Sequence, residues 1–312
     1  MDSHADRVGV THRWFEIGKK HFVLLIALLA VTATVVFAIS VTVGSRSEGL
    51  YPVRLNGKFG YMDKSGKLVI QPQFDQASIF AEGYAPVRNG NHWGFIDRHG
   101  NLAITPQFDM ADPFSDGLAM VGSGPRLGFI DKSGKYVVNP QYDGAGGFGD
   151  DLAPVLVNGR WGFIDKSGKL AINPQFDETG NFSEGMALVR VTGKYGYIDK
   201  SGKMVVNPQF EGGGGFNGSR AAVRVGGKFG YIDKSGKLVI NPQFDVAGDF
   251  SEGLAPVAIA KRYGYIDTDG KFAINPQYDD AGGFMSGLAP VWLGDREGYI
   301  NKDGKYVWNP SS

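Results

Sequence analysis

Residues 222–255 read AVRVGGKFGYIDKSGKLVINPQFDVAGDFSEGLA, and residues 154–187 read PVLVNGRWGFIDKSGKLAINPQFDETGNFSEGMA. The two stretches are in register. The same 34-residue frame starts at Pro52, Pro86, Met120, Pro154, Leu188, Ala222, Pro256 and Pro290, with no insertion or deletion from Leu50 to the C-terminus. A repeat of this length is one supersecondary unit that buries its apolar face against its neighbours. The architecture is therefore decided by the repeat before any single residue is weighed.

Within a copy three stretches predict strands, because they are short and rich in Val, Ile, Tyr and Phe. In one copy these are Leu254–Ala258; in the copy before it they are Phe229–Asp233 and Lys237–Asn241. The turn joining the second stretch to the third reads Asp-Lys-Ser-Gly-Lys at Asp63–Lys67, Asp131–Lys135, Asp165–Lys169, Asp199–Lys203 and Asp233–Lys237. Asp at its head accepts bonds from turn amides, and Gly takes positive φ without a Cβ clash. Asn301 heads the last copy's turn, a swap that a capping role allows. Pro72, Pro106, Pro140, Pro174, Pro208, Pro242 and Pro276 follow, and each lacks an amide donor. They are expected to end the ladder or to lie on a sheet edge. A connector with one phased aromatic (Phe80, Phe114, Phe148, Phe182, Phe216, Phe250, Phe284) leads to the next copy.

The array opens on the connector tail Ser47-Glu48-Gly49-Leu50 and stops just after a third strand. The predicted fold is therefore all-β, with eight 34-residue three-stranded antiparallel repeats and seven connectors over residues 50–312. Because the ends fall on unit boundaries, an open twisted array is preferred. The alternative is a closed eight-bladed, propeller-like ring.

Ahead of the array, Phe22–Val43 is 22 residues without a charge. As a helix it would span about 33 Å, enough for a bilayer core. Lys19 and Lys20 precede it, which puts residues 1–21 in the cytoplasm, 22–43 across the membrane, 44–49 as a linker and the repeats outside. The alternative is a signal peptide cleaved near Ala38-Ile39-Ser40. Both routes export the repeats to the periplasm or cell surface. The repeat region holds 27 basic and 28 acidic side chains, so there is no electrostatic footprint for nucleic acid. The chain has no cysteine, which excludes disulfides, thiolate catalysis and Cys-type zinc sites.

The aromatic-Gly pairs Trp93-Gly94-Phe95-Ile96-Asp97 and Trp161-Gly162-Phe163-Ile164-Asp165, with the downstream Pro-Gln-Phe-Asp and Phe-Ser-Glu-Gly stretches, resemble bacterial WG (KWG) repeats. The resemblance covers Leu50 to Pro310. It implies a β-rich binding or scaffold repeat of exported and surface proteins, and it brings no catalytic residues. Phe59, Leu127, Tyr195, Phe229, Tyr263 and Glu297 stand where the signature has Trp.

The signature aromatics Phe59, Trp93, Trp161, Tyr195, Phe229 and Tyr263 have two readings, a stacking ladder for sugar rings or peptide side chains, or packing between units. Leu127 in the series suits packing. Glu297 in the last copy reads as an exposed terminal cap. The Asp ladder reads as turn capping rather than calcium binding, since Lys follows most of its members. Arg54, Arg88, Arg190 and Arg224 form a stripe on the first strand, interrupted by Gly122, Leu156, Ala258 and Trp292. A residue that differs between copies is not needed to build one, so these positions are recognition candidates, against a merely solvated strand face. Trp292 and Trp308 suggest a docking patch or a lid on the array end. Glu211, Gly212–Gly215 and Arg220 break the pattern in the fifth copy, marking a bend, an interface or a ligand-facing opening.

His92 and His99, the only histidines after the apolar segment, do not make a metal set. No nucleophile elbow or phosphate loop occurs. The sequence thus predicts no enzyme and no cofactor. It predicts a membrane-anchored scaffold for an envelope protein partner. The alternatives are binding of cell-wall or envelope glycan and hydrolysis of an envelope polymer.

Overall fold

The computed structural model describes residues 48–311. The segments expected as cytoplasmic N-terminus (1–21) and transmembrane helix (22–43), and most of the expected linker, lie outside the described residues. Among the described residues no helix is long and apolar enough to cross a membrane.

Each repeat forms an antiparallel sheet. In the fifth the order is a short strand Glu178–Thr179, then Met186–Val191, Lys194–Asp199 and Met204–Phe210. The short strand comes from the connector and was not expected. It completes four-stranded sheets in blades two to eight, while among the described residues the first blade comprises Leu50–Leu55, Lys58–Asp63 and Leu68–Phe74. The third strand also runs further than expected, through its proline: in the sixth blade it spans Leu238–Phe244. It lies on the sheet edge, where a missing amide donor does no harm.

The aromatic-Gly signature has a steric cause. In the fourth blade Trp161 pairs with Phe176 and Phe163 with Ile172. Two residues of the second strand thus face four of the third, and the excess at Asn173-Pro174 bulges over Gly162. A Cβ on Gly162 would lie 2.6 Å from the Ile172 carbonyl oxygen and 2.7 Å from the Pro174 nitrogen. Only glycine fits beneath this bulge. Past it, the strand crosses to the next sheet, where the Asp177 amide donates to the Arg190 carbonyl (3.0 Å) and the Gly180 amide to Leu188 (2.9 Å).

Both faces of a blade are buried. In the fourth, Phe163 packs toward the fifth blade with Ile172, Phe182, Ala187 and Val189, while Ile164 packs toward the third with Phe129 and Val138. This is why the second strand reads as a continuous apolar run. The connector phenylalanines sit in these junctions against the ring that directly follows the signature Gly, as in Phe163–Phe182 (4.7 Å) and Tyr231–Phe250 (4.8 Å). At the turn end, Glu82 accepts the Gly117 amide (3.1 Å) and pairs with Lys132 (3.1 Å). Glu184 does the same with Ser219 and Lys234, and Glu252 with Gly287 and Lys302.

Among the described residues there are eight sheets and eight inter-sheet cores, one more core than an open row of eight would have. The eighth core joins Tyr51, Val53 and Met62 of the first blade to Leu288 and Tyr299 of the last. The Tyr51 phenol donates to the Met285 and Ser286 carbonyls (3.0 and 2.8 Å), and the Tyr299 phenol to Pro52 (2.8 Å). The eight-unit all-β reading holds, and of its two forms the molecule takes the closed, propeller-like ring rather than the open array. Closure is by side-chain contact between intact units, so unit boundaries at the chain ends did not oppose it.

Candidate binding face

The first-strand stripe lies in one row at the end of the ring that carries the first-to-second-strand hairpins. Each member faces a signature position across the sheet: Arg54 faces Phe59, Arg88 Trp93, Leu156 Trp161, Arg190 Tyr195, Arg224 Phe229 and Trp292 Glu297. Seven of the nine candidates (Arg54, Arg88, Trp93, Trp161, Arg190, Arg224, Trp292) are thus brought to one level. Arg220 is elsewhere, at the turn end, where the other blades carry an apolar residue. Trp308 is elsewhere too, on the last strand opposite Tyr299 and packed against the closing core.

The signature aromatics are wedged into the junctions. Phe59, Trp93, Trp161, Phe229 and Tyr263 are half-buried against the inter-blade cores, and Tyr195 is buried. Packing is their role. Burial pushes the Tyr263 phenol up to about 12.

The acids at this end are largely used by the scaffold. Asp75 accepts the Gly90 amide (2.8 Å) and pairs with Lys58 (2.5 Å), and Asp245 and Asp279 accept the Ala260 and Gly294 amides. Glu211 replaces Asp in this role: its longer side chain accepts both the Gly226 (3.1 Å) and Gly227 (3.0 Å) amides. Close packing explains part of the glycine run after it, since a Cβ on Gly213 would meet the Tyr197 hydroxyl at 3.0 Å. Nothing in the structure explains Arg220, whose Nε is buried without a hydrogen-bond partner.

Three further buried donors lack a hydrogen-bond partner at the stripe's own register: Arg88 Nε, Arg190 Nε and Trp292 Nε1. Arg54 and Arg224 lie over the Phe59 and Phe229 rings at 5.8 and 5.9 Å. Arg190 lies over Tyr195 at 5.6 Å and pairs with Glu178 (2.5 Å), which also accepts the Tyr195 hydroxyl. Glu178 was missed in sequence. Its signal was available, because the first residue of the short strand varies from copy to copy (Gln76, Met110, Gly144, Glu178, Gly212, Val246, Asp280).

Glu297 is not an exposed cap. The ring has no free end there, and the residue is half-buried at the closing junction. Burial pushes its carboxyl up to about 7, against the opposing pull of the Tyr299 hydroxyl and of Arg54. Asp112, in the connector before the third blade, is likewise pushed up to about 7 by burial. Among the described residues no three His, Asp or Glu side chains group as a metal site.

The family model described as WG containing repeat matches residues 59–91, 93–122, 128–161, 161–195, 195–229, 229–261 and 263–295. No curated protein matches the chain in sequence. Among solved structures, the chain is similar to a eukaryotic initiation factor (10% identity over 84% of this chain and 85% of that one, TM-score 0.56). It is similar to dihydro-heme d1 dehydrogenase NirN in complex with DHE (12% identity, 86% and 75%, TM-score 0.56). A third is PorZ, a bacterial surface component of the type-IX secretion system of Porphyromonas gingivalis (10% identity, TM-score 0.47). The match covers 77% of this chain and 38% of PorZ. At these identities the likeness is one of fold.

Proposed function

We propose that this chain, which belongs to the WG-repeat family, is a membrane-anchored, extracytoplasmic scaffold that binds an envelope protein through the hairpin end of its ring. The observation that carries this reading is the row of Arg54, Arg88, Arg190, Arg224 and Trp292 at one level of the hairpin end, with Arg54 and Arg224 exposed. Residues common to the copies are consumed by turns, bulges, junction cores and inter-blade ties. The stripe is where blades differ, and the exposed Arg54 and Arg224 guanidiniums suit a partner that presents carbonyl or carboxylate oxygens. Trp93 and Trp161 are committed to junction packing, which favours a protein partner over a glycan stacked on a ladder. The apolar run Phe22–Val43 supports the anchor.

The test is photo-crosslinking in intact cells of the full-length protein carrying the crosslinking residue at Arg88 or Arg190, with Lys135 at the opposite end as control. The expected result is a discrete adduct with an envelope protein, in the membrane fraction, from the hairpin-end positions only. Equal labelling from both ends, or no adduct from Arg88 and Arg190, contradicts the reading.

A further inference from the structure

Blades five and six carry the same first-strand arginine on the same kind of ring, but only one of the two arginines has an acid beside it. In the fifth blade the row across the sheet is Glu178, Arg190 and Tyr195. Glu178 pairs with Arg190 at 2.5 Å and accepts the Tyr195 hydroxyl, so its carboxylate is held from two sides. In the sixth blade the same row is Gly212, Arg224 and Phe229. Arg224 lies over the Phe229 ring at 5.9 Å, as Arg190 lies over Tyr195 at 5.6 Å. Arg224 is exposed and makes no ion pair among the described residues.

Neither packing nor backbone conformation calls for glycine at 212. At Gly144, the same position of blade four, a Cβ would lie 3.1 Å from Leu156 Cβ and 3.1 Å from the end of the Trp161 ring. That glycine makes room for an indole. At Gly212 a Cβ would meet only Arg224 Cβ, at 3.7 Å, an ordinary contact, and φ is not positive. The width of one side chain is left open beside an exposed guanidinium.

We infer that the slot between Gly212 and the Arg224 guanidinium takes an aspartate or glutamate side chain of the protein partner, in the place that Glu178 fills for Arg190 one blade earlier. This rests on the hairpin end being the binding face, and it names the chemistry that the partner brings there.

The surroundings of the slot fit that occupant. Stacked on Phe229, the guanidinium keeps its N–H edge turned outward, and a carboxylate meets such an edge with charge-assisted bonds. Phe229 has no hydroxyl, so the incoming acid, unlike Glu178, depends on the guanidinium for its bonds. The scaffold acid near the slot is Glu211, whose two oxygens accept the Gly226 and Gly227 amides (3.1 and 3.0 Å). The Gly227 amide foremost, then the Gly226 amide and the Lys194 and Arg224 charges, hold its carboxyl below the ordinary value. Two cations against one carboxylate leave a surplus of one positive charge. The neighbouring acids Asp177 and Asp245 are tied to Arg160 and Lys228.

A second observation places a protein surface on the same side of the ring. Val225 and Ile259, at the same position of blades six and seven, are 39% and 37% exposed. Every other exposed large hydrophobic side chain among the described residues lies on a third strand. At the hairpin end the exposed aliphatic surface is thus gathered next to Arg224. An acidic residue flanked by apolar ones matches this pairing of charge and aliphatic surface.

The test measures binding of fluorescein-labelled hexaglutamate to the full-length protein in neutral detergent micelles, by fluorescence anisotropy at low ionic strength, with hexaglutamine as control. Hexaglutamate is expected to bind and hexaglutamine not to. Arg224→Gln removes the cation and Gly212→Glu fills the slot from within the chain, and each should weaken binding about ten-fold. The exchange Glu178→Gly/Gly212→Glu moves the slot to blade five. Binding should then return, and Arg190→Gln rather than Arg224→Gln should abolish it. Equal affinity of the unaltered, Arg224→Gln and Gly212→Glu chains, or equal binding of the two peptides, overturns the inference. Should Gly212→Glu not fold, Arg224→Gln at its exposed position decides. In intact cells, an adduct from the crosslinking residue at Arg88 that persists undiminished in Gly212→Glu keeps the hairpin end as the binding face and overturns the slot alone. Hexaglutamate bound through Arg224 with no adduct in cells supports the slot and contradicts the envelope partner.

Discussion

Gly162 lies within a second strand and Gly215 in a connector, and their surroundings differ completely. A methyl on Gly162 meets backbone atoms that cannot move without shifting the Asn173-Pro174 bulge, whereas a Cβ on Gly215 has nothing within 4 Å. Gly162→Ala is therefore expected to destabilise the protein by about 2–4 kcal/mol and Gly215→Ala to stay within about 0.5 kcal/mol. Urea unfolding of the two variants measures the difference, and equal midpoints would refute the steric account of the signature. The same reasoning separates the two halves of the signature. Its glycine is fixed by a backbone contact, while its aromatic is a junction filler that Leu127 or Tyr195 can replace. The residue scale was thus legible in part. Sequence alone suggested that the aromatics pack, because Leu is among them, but not which backbone lies over the Gly that follows. The bulge arises from residues ten to twelve positions downstream.

At the scale of the element, the Asp-headed turn shows what local sequence resolves well. Asp165 Oδ1 accepts the Ser167 amide (2.9 Å), the Ser167 hydroxyl (2.6 Å) and the Lys169 amide (3.1 Å). Gly168 takes φ of 85°. Asn301 keeps the amide bonds to Asp303 and Lys305 (3.1 and 3.0 Å) with its own Oδ1. Asp165→Asn should therefore retain more of the melting temperature than Asp165→Ala; Asn and Ala variants that melt alike would remove the capping role. The turn was readable because all its bonds close within five residues. The short strand was not: Gly144–Ala145 and Gly212–Gly213 carry no alternation and no β-branched residue. They become strands only because the preceding third strand delivers them to the neighbouring sheet. Likewise, Lys132 reads as a solvated turn residue until Glu82, 50 positions earlier, is placed beside it.

At the scale of the whole molecule, closure was illegible because it rests on contacts between residues about 250 apart, of which Tyr51 breaks the repeat. Tyr51 and Tyr299 make the eighth junction, so Tyr51→Ala should cost about 3–5 kcal/mol and Tyr51→Phe about 1 kcal/mol, for the bonds to Met285 and Ser286. Chemical denaturation would show this, and a neutral Tyr51→Ala would mean that the ring does not depend on this contact. The pH dependence of stability follows from two opposed groups of carboxyls. The Ser167 hydroxyl and the turn amides hold Asp165 below its ordinary value, and Asp63, Asp131, Asp199 and Asp233 are held down in the same way. Their stabilisation is present above about pH 4 and is lost as pH falls through the lowered values. Glu297 acts in the opposite sense. Its folded value of about 7 lies above the ordinary 4.5, so the folded chain keeps a proton that the unfolded chain releases. That contribution is full below about pH 4.5 and disappears as pH rises through about 7. Asp112, raised to about 7, adds a second contribution of the same sign from an ordinary value of 3.8. Stability should therefore peak near pH 4.5 to 5, fall steeply on the acid side and decline gently toward pH 8. Glu297→Gln keeps the shape of the side chain without the charge. It should flatten part of the decline and raise stability at pH 8 by on the order of 1–3 kcal/mol, leaving the acid limb unchanged. Asp112→Asn should remove the remaining slope. If Glu297→Gln keeps the full decline between pH 5 and 8, then the closing junction is not where the ring senses pH.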